Sequence, residues 1–345
     1  CLGPNAALSD ILSEIVDVVA NEMDGSAEVR ATEELSFHIE GCNSRLGSLG
    51  PTTNPLFMNK TTVGSLDVVS MFPNLKAVQV SKMVAQALME SSVEFAGLDY
   101  EMVGIYLALN YSRQEIANIG LSKFVPIRIV KKGGVSKITI SSQECRSPQE
   151  AKDKWYFSPM IPNAAQKRLM LSKAMEVAVR ECFRNHLYQF DGKVYRQSEG
   201  GPIGLRLNMA VSRIVMAMWD KQLSKLGGQT GWMVHLLKRY VDDVTAVVET
   251  LRLGVRWTVW GLKYNKVWEA EDRTGGLTDD QRTMREFREM ANTILPFIQV
   301  TFDTVDDHLS KTLPVLDLQC WTEGKVILHK YYEKPTSSKY CIMTT

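Results

Sequence analysis

The sequence predicts a mixed α/β (α+β) fold, an antiparallel sheet with flanking helices, and three observations carry that expectation. Apolar runs of strand character alternate with helical periodicities, yet never settle into the regular strand–helix–strand rhythm of a parallel sheet. Pairs of β-branched runs are separated by short turn-forming sequences, the pattern of hairpins. The chain of 345 residues, 45% hydrophobic, is long enough to bury a substantial core in one large domain or two modest ones.

Taken in order, Ala6 to Met23 is expected to be helical, because Leu8, Ile11, Leu12, Ile15, Val18 and Val19 fall on one face. Val63 to Met71 is a buried strand ended by Phe72-Pro73-Asn74, and Lys76 to Met89 resumes helical spacing. Phe124 to Val130 and Val135 to Ile140 flank a Lys-Lys-Gly-Gly turn and form a hairpin. Helices follow from about Asn163 to Arg184 and from Leu205 to about Lys225. Trp232 to Tyr240 and Val244 to Glu249 flank Val241-Asp242-Asp243 as strand, tight turn, strand. Arg282 to Ile298 is helical, and Pro314–Trp321 with Lys325–Lys330 makes a second hairpin across Glu323-Gly324. Neither a repeat nor a low-complexity tract interrupts this order.

Composition narrows the class. No apolar run approaches the roughly 18 residues of a membrane span; the most apolar stretch, Asn208 to Trp219, is broken by Arg213. The N-terminus does not resemble a signal peptide, and the six cysteines contain no Cys-x-x-Cys pair, so an intracellular, reducing location is expected. A start at Cys1 and an end at Thr345, just after a patterned stretch, suggest a fragment of a longer protein. The net charge is only +1, but residues 1–50 carry two basic and nine acidic side chains, whereas residues 121–180 carry twelve basic and four acidic. The basic stretch, with Arg128, Lys131, Lys132, Lys152, Lys154, Lys167 and Arg168, suits a phosphate backbone or is simply a solvated face.

The acids carry the chemistry. Extending a nucleic-acid chain needs a 3′-hydroxyl to attack an α-phosphate, and two Mg²⁺ ions about 3.5–4 Å apart activate the attacking oxygen and stabilise the leaving ones. Mg²⁺ keeps several waters, so two or three carboxylates on rigid elements suffice. Asp242 and Asp243 lie at a hairpin turn between apolar strands, where two adjacent acids repel unless a cation is bound, although Asp-Asp is also common in plain surface turns. Asp67 is a lone acid within Ser65-Leu66-Asp67-Val68-Val69-Ser70-Met71-Phe72. Its partner is either a Lys or Arg, or Asp242 across the sheet. A glycine-rich segment, Tyr195 to Asn208, contains Gly200, Gly201, Pro202 and Gly204; it would let backbone approach a base pair closely, or else it merely precedes a helix.

In this order the three segments resemble motifs A, B and C of reverse transcriptases, with Tyr240-Val241-Asp242-Asp243 matching the Tyr-x-Asp-Asp box. Within that family the likeness is greatest to Penelope-like retroelements, relatives of telomerase reverse transcriptase. Tyr195, Gln197, Gly200, Gly204, Leu313, Asp317, Lys334, Pro335 and Thr336 fall on their motif positions. The resemblance covers about residues 60–75 and 186–340; Ile203 stands where retroviral enzymes have Gln and Penelope-like enzymes also have an apolar residue, and Asn208-Met209 replaces the family's Ser-Pro.

The resemblance implies a reverse-transcriptase palm with part of the fingers. Its parts would be an N-terminal helical lead-in over 1–60, palm over 61–110, a basic fingers-like insertion over 111–190 and palm again over 191–340. The remaining fingers would lie upstream and the thumb downstream. It implies an RNA-directed DNA polymerase taking an RNA template, a DNA primer and dNTPs, with no membrane partner and a nuclear location in a eukaryotic host. Asp67, Asp242, Asp243 and the Val68 carbonyl would bind two Mg²⁺ ions, with Mn²⁺ as a substitute. Phe72 would be the steric gate against a 2′-hydroxyl. Gln197, Pro202, Gly204 and Tyr240 would line the nucleotide, and Gly200, Gly201, Leu313, Lys330 and Lys334 the template and primer. Lys311 or His308 would protonate pyrophosphate. Two other readings share these residues: an RNA-dependent RNA polymerase, and a decayed or domesticated copy that binds nucleic acid without catalysis.

Overall fold

The computed structural model describes residues 5–332 except 24–25, 52, 54–56, 126, 133–134, 141–142, 156–160, 203 and 253–275, with backbone alone over 127–132 and 135–138. In chain order the helices are α1 (Ala6–Asn21), α2 (Thr32–Ser48), the single turn α3 (Met71–Asn74), α4 (Ala77–Glu90), α5 (Tyr100–Asn110), α6 (Arg113–Asn118), α7 (Pro148–Trp155), α8 (Ala164–Arg184), α9 (Arg206–Thr230) and α10 (Asp279–Ala291). The strands are β1 (Phe57–Val68), β2 (Ile127–Lys132), β3 (Val135–Ile140), β4 (Gln143–Cys145), β5 (Leu187–Phe190), β6 (Lys193–Arg196), β7 (Val234–Tyr240), β8 (Asp243–Leu251), β9 (Val300–Thr304), β10 (Leu313–Val315), β11 (Leu318–Glu323) and β12 (Val326–Tyr331). The fold class is the expected mixture of helices and antiparallel sheets.

Backbone contacts divide the chain into two units, each drawn from two stretches. Residues 25–71 and 217–345 form the sheet unit. Its four strands run in the order β7-β8-β1-β9, every pair antiparallel. The register assigns the faces, since directly opposed residues point the same way. Val63, Val247 and Leu236 share one face and pack with Leu35, Ile39, Cys42 and Leu46 of α2 and with Leu313, Val315, Leu318, Cys320 and Ile327 of the β10-β11-β12 sheet. The other face carries Thr62, whose hydroxyl donates to Asp280 of α10 at 2.8 Å, and Gly64, which lies under Met284. Edge strand β7 is covered by residues 27–29, which bond both the N–H and the C=O of Arg239.

Residues 1–24 and 72–216 form the helical unit. Its core gathers Ile105, Leu107, Leu121, Phe124, Trp155 and Met170, drawn from α5, α7, α8 and the loop after α6. Helix α8 starts at an Asn163–Gln166 capping box, which satisfies two backbone donors reciprocally. The hairpin expected around 124–140 is β2-β3, extended by β4 to three strands, although its Gly133-Gly134 turn lies outside the described residues.

Three differences from the expected boundaries have a visible cause. The strand expected over 63–71 begins at Phe57 and stops at Val68, because Ser70 takes a φ of +48° and the chain turns into α3. The helix expected to reach Ile298 ends at Ala291, where Asn292 folds back to bond both polar groups of Val300. Pro314–Trp321 is not one strand; Leu316 at φ +52° breaks it into β10 and β11. Among the described residues no helix is long and apolar enough to cross a membrane. Cys42, Cys145, Cys182 and Cys320 are free and buried, and burial pushes the Cys320 thiol up to about 12.

Candidate active site

Strands β7 and β8 are joined by only two residues, Val241 and Asp242, between the paired Tyr240 and Asp243. A two-residue link suits the strand twist when its first residue has positive φ, and Val241 takes +57°. Glycine is the usual solution; a β-branched side chain there stores strain on the order of 1–3 kcal/mol. Beside this turn, Asp67 of β1 is the cross-strand partner of Asp243. The Val68 N–H donates to the Asp242 carbonyl at 3.3 Å, which makes Asp67 and Asp243 a non-hydrogen-bonded pair, the kind whose side chains stand closer. The direct partner of Asp67 is thus Asp243 rather than Asp242, which sits in the turn itself.

Like charges in direct opposition destabilise a sheet. Partial desolvation by the neighbouring strands, and then the charge of Asp242, push the Asp67 carboxyl above its ordinary range even though the side chain reaches solvent. Asp243 is raised by burial, then by Asp242 and Asp67. No Lys or Arg pairs with any of the three among the described residues, so the structural partner that Asp67 could have had is not there. The apolar flanks of the hairpin are buried as expected, Leu236 and Val244 to Val248 among them, but burial stops short of the acids themselves. Val244 is fully buried, whereas Asp67 and Asp243 are exposed and Asp242 half-buried.

Among the described residues no three His, Cys, Asp or Glu side chains converge enough to hold a metal by themselves. Mg²⁺ needs no such cage, since it takes one or two carboxylates and fills its remaining positions with water and substrate phosphate. Accessible acids that pair with no Lys or Arg among the described residues fit that requirement. The Val68 N–H points to the hairpin, so its C=O, on the same edge of the strand, points there too.

Arg239 is the residue that sequence reasoning missed. Its Nε and Nη2 donate to the Asp220 carboxylate at 2.9–3.2 Å, and its Nη1 donates to the Val241 carbonyl at 2.7 Å. Asp220 also accepts the Ala27 N–H at 3.0 Å. Burial pushes Asp220 up while Arg239 pulls against it, and both side chains are essentially inaccessible. The guanidinium thereby ties the strained turn to α9, fixing the backbone from which Asp242 and Asp243 project. The sequence offered little signal: Asp220 ends the apolar run before Lys221, and Arg239 follows Lys238 just before the Tyr240–Asp243 box.

In the helical unit the glycine turn packs on α3. Gly201 donates its N–H to the Phe72 carbonyl at 2.7 Å, and Phe72 itself is half-buried. Gly200 is obligatory twice over: its φ is +84°, and a Cβ would stand 2.8 Å from the Pro73 carbonyl oxygen. The Gln197 amide braces the turn by donating to the carbonyls of Glu199 at 2.8 Å and Gly201 at 3.0 Å, so its donors are already engaged. Pro202 is buried and accepts the Leu205 N–H at 3.1 Å, and Gly204 has a φ of +90°. Ile203 lies outside the described residues.

The remaining candidates separate. His308 bonds Asp303 at 2.7 Å, and Asp303 opposes Ser65 on the sheet face that carries Asp67. Lys311 turns instead to Asp306 at 3.2 Å. Tyr240 is exposed beside the turn and Lys330 is exposed on β12. Leu313 is fully buried in the sheet unit's core, so its side chain supports the fold and cannot touch template or primer. Lys334, Pro335 and Thr336 lie outside the described residues, as do the side chains of Arg128, Lys131 and Lys132. Part of the basic stretch is neutralised locally, Lys152 by Asp99 and Lys154 by Glu150, while Lys167 stands over the Tyr100 ring.

Fold and site together define a class: a mixed α/β protein presenting accessible carboxylates from a hairpin tip and the adjoining strand of an antiparallel sheet. No protein-family model matches the sequence, and no curated protein matches it. Among solved structures the chain is similar to telomerase from Candida tropicalis truncated from its C-terminal domain, at 10% identity and a TM-score of 0.42, covering 93% of this chain and 45% of that one. It is similar also to Candida albicans telomerase in complex with a fragment of telomeric RNA, at 11% and 0.45, covering 93% and 38%. Apo telomerase from Candida tropicalis gives 12% and 0.43, covering 94% and 40%. The chain therefore spans less than half the length of each, and a likeness of this size says nothing about chemistry.

Proposed function

We propose that this chain is the palm-containing part of an RNA-directed DNA polymerase, extending a DNA primer with dNTPs on an RNA template. The observation that carries the reading is the register setting Asp67 against Asp243, with Asp242 in the turn and, among the described residues, no Lys or Arg paired with them. A like-charge pair set across the sheet, with a third acid in the adjoining turn, makes sense where divalent ions and phosphate occupy the spot. Asp67, Asp242, Asp243 and the Val68 carbonyl would hold Mg²⁺, or Mn²⁺ in its place, and the bound ions would neutralise charge on the attacking and leaving oxygens.

The chain's own residues supply the rest. Arg239 keeps the turn in its strained form, so the carboxylates are positioned before substrate arrives. Phe72 acts as the gate against a 2′-hydroxyl, and its backbone is fixed by the Gly201 N–H. His308, oriented by Asp303, is the better placed of the two proton donors. The Penelope-like character rests on Tyr195, Gln197, Gly200, Gly204, Leu313 and Asp317 at their motif positions, and a nuclear location follows if the host is eukaryotic.

Primer extension tests the reading. A 5′-labelled DNA primer on an RNA template should be extended with dNTPs and Mg²⁺, and Asp242→Asn should abolish extension without loss of template binding. No extension by the wild-type chain within its full-length protein, with binding intact, would favour the non-catalytic reading.

A further inference from the structure

Strands β5 and β6 form a separate two-stranded ribbon in which every residue is exposed. Its pairing sets Tyr188 opposite Tyr195 and Phe190 opposite Lys193, so one face carries three aromatic rings and a lysine. The two tyrosines stack at 5.6 Å with 19° between their planes. Such a pair stabilises a short ribbon by itself, which accounts for the tyrosines. It does not account for Phe190, 70% exposed next to the turn, or for a tyrosine pair that remains 48% and 40% exposed. Large rings left in water on a two-stranded ribbon mark a surface that meets something.

Charge decides what that is. Residues 184–197 hold Arg184, Lys193 and Arg196 against the single acid Asp191. Arg196 bonds the Arg184 carbonyl at 2.7 Å, which holds these cations at the ribbon's base, and Lys193 has no ion-pair or hydrogen-bond partner among the described residues. The exposed ring of Phe190 and the open side of the tyrosine pair lie on one face, so unpaired bases would stack there with their phosphates toward Lys193.

We infer that the face of Tyr188, Phe190, Lys193 and Tyr195 binds single-stranded nucleic acid by stacking unpaired bases. Strand β6 runs straight into Gln197, whose N–H bonds the His186 carbonyl at 2.9 Å and whose side chain braces the Gly200-Gly201 turn. A strand held on the ribbon would thus be led toward that turn. The inference deepens the polymerase reading by naming a contact for its unpaired strand, but binding is measured without catalysis.

The test uses the 345-residue chain and a fluorescein-labelled 12-nucleotide RNA without secondary structure, followed by anisotropy over a salt series. Phe190→Ala should weaken binding by about five- to a hundredfold, the loss expected for one stacked base, with the salt dependence unchanged. Lys193→Ala should lower the slope of log K against log salt by about 0.7. A 2-aminopurine at successive positions should be quenched by the wild type and recover its emission in Phe190→Ala. All these side chains are exposed, so unchanged melting would show that the variants are folded. Unaltered affinity and quenching in Phe190→Ala would overturn the inference and leave the ribbon to a protein partner. Asp242→Asn separates the two claims, since it should bind RNA normally while failing to extend a primer.

Discussion

Replacing Asp67 by Asn should stabilise the metal-free protein while removing its response to divalent ions. In the closer kind of antiparallel pair, Cα atoms stand about 4.5 Å apart and the carboxylates roughly 5–6 Å. Two unit charges at that separation repel by about 0.8 kcal/mol at the dielectric of water, and salt screening at physiological strength halves this to about 0.4. The low dielectric limit does not apply, because Asp67 and Asp243 are exposed. A gain of about 0.4–0.8 kcal/mol should raise Tm by about 1–3 °C in a unit of this size.

The pH dependence has the matching sign. Both carboxyls are raised in the folded state, so their protonation favours folding below the ordinary carboxylate range, and that stability is lost as pH rises through the folded values. Asp67→Asn should flatten this fall. With Mn²⁺ at about a hundred times its Kd, the wild type should gain about 2.7 kcal/mol, and Asp67→Asn much less. Scanning calorimetry with and without metal reads both effects. If Asp67→Asn melts below the wild type without metal, or keeps the full metal shift, the like-charge account fails.

Further consequences are specific to single residues. Arg239→Lys keeps a charge for Asp220 but loses the reach to the Val241 carbonyl; it should cost about 1–3 kcal/mol of stability and lower kcat at least tenfold, with little change in KM for primer–template, as single-turnover kinetics would show. Equal losses in kcat and template affinity would instead mean general unfolding. Gly200→Ala should destabilise by about 1–3 kcal/mol in urea, because the new methyl meets the Pro73 carbonyl at a positive φ; an unchanged midpoint would show that the turn relaxes freely. Phe72→Ala should raise ribonucleotide relative to deoxynucleotide incorporation, and an unaltered ratio would remove Phe72 from the gate.

The sequence was most legible where periodicity was long or turn chemistry was sharp. Helices α1, α4, α8 and α9 followed their apolar spacing, and the β7–β8 hairpin followed from two β-branched runs around Asp242-Asp243. Helix α2 escaped because Gly41, Gly47 and several polar residues diluted its composition, although Leu35, Ile39, Cys42 and Leu46 lie on one stripe. Strand β9 is short and polar, and only its pairing with β1 defines it. At the site, residue types were readable but register was not: the sequence sets Asp67 against Asp242, and the Val68–Asp242 hydrogen bond makes Asp243 the direct partner instead. Leu313 looked like a template contact because its motif position was visible and its burial was not. Arg239 and Asp220 lie 19 positions apart in sequence, and their union exists only once α9 lies along the sheet.

The central claim is that the turn Tyr240–Asp243 and Asp67 together hold a divalent metal ion. Anomalous diffraction from crystals grown with Mn²⁺, primer–template and an unreactive dNTP tests it most directly. The account predicts a manganese peak between the carboxylates of Asp67 and the Asp242-Asp243 turn that disappears in Asp67→Asn. Bound nucleotide with no peak at that position, or a peak unaffected by the substitution, would contradict it.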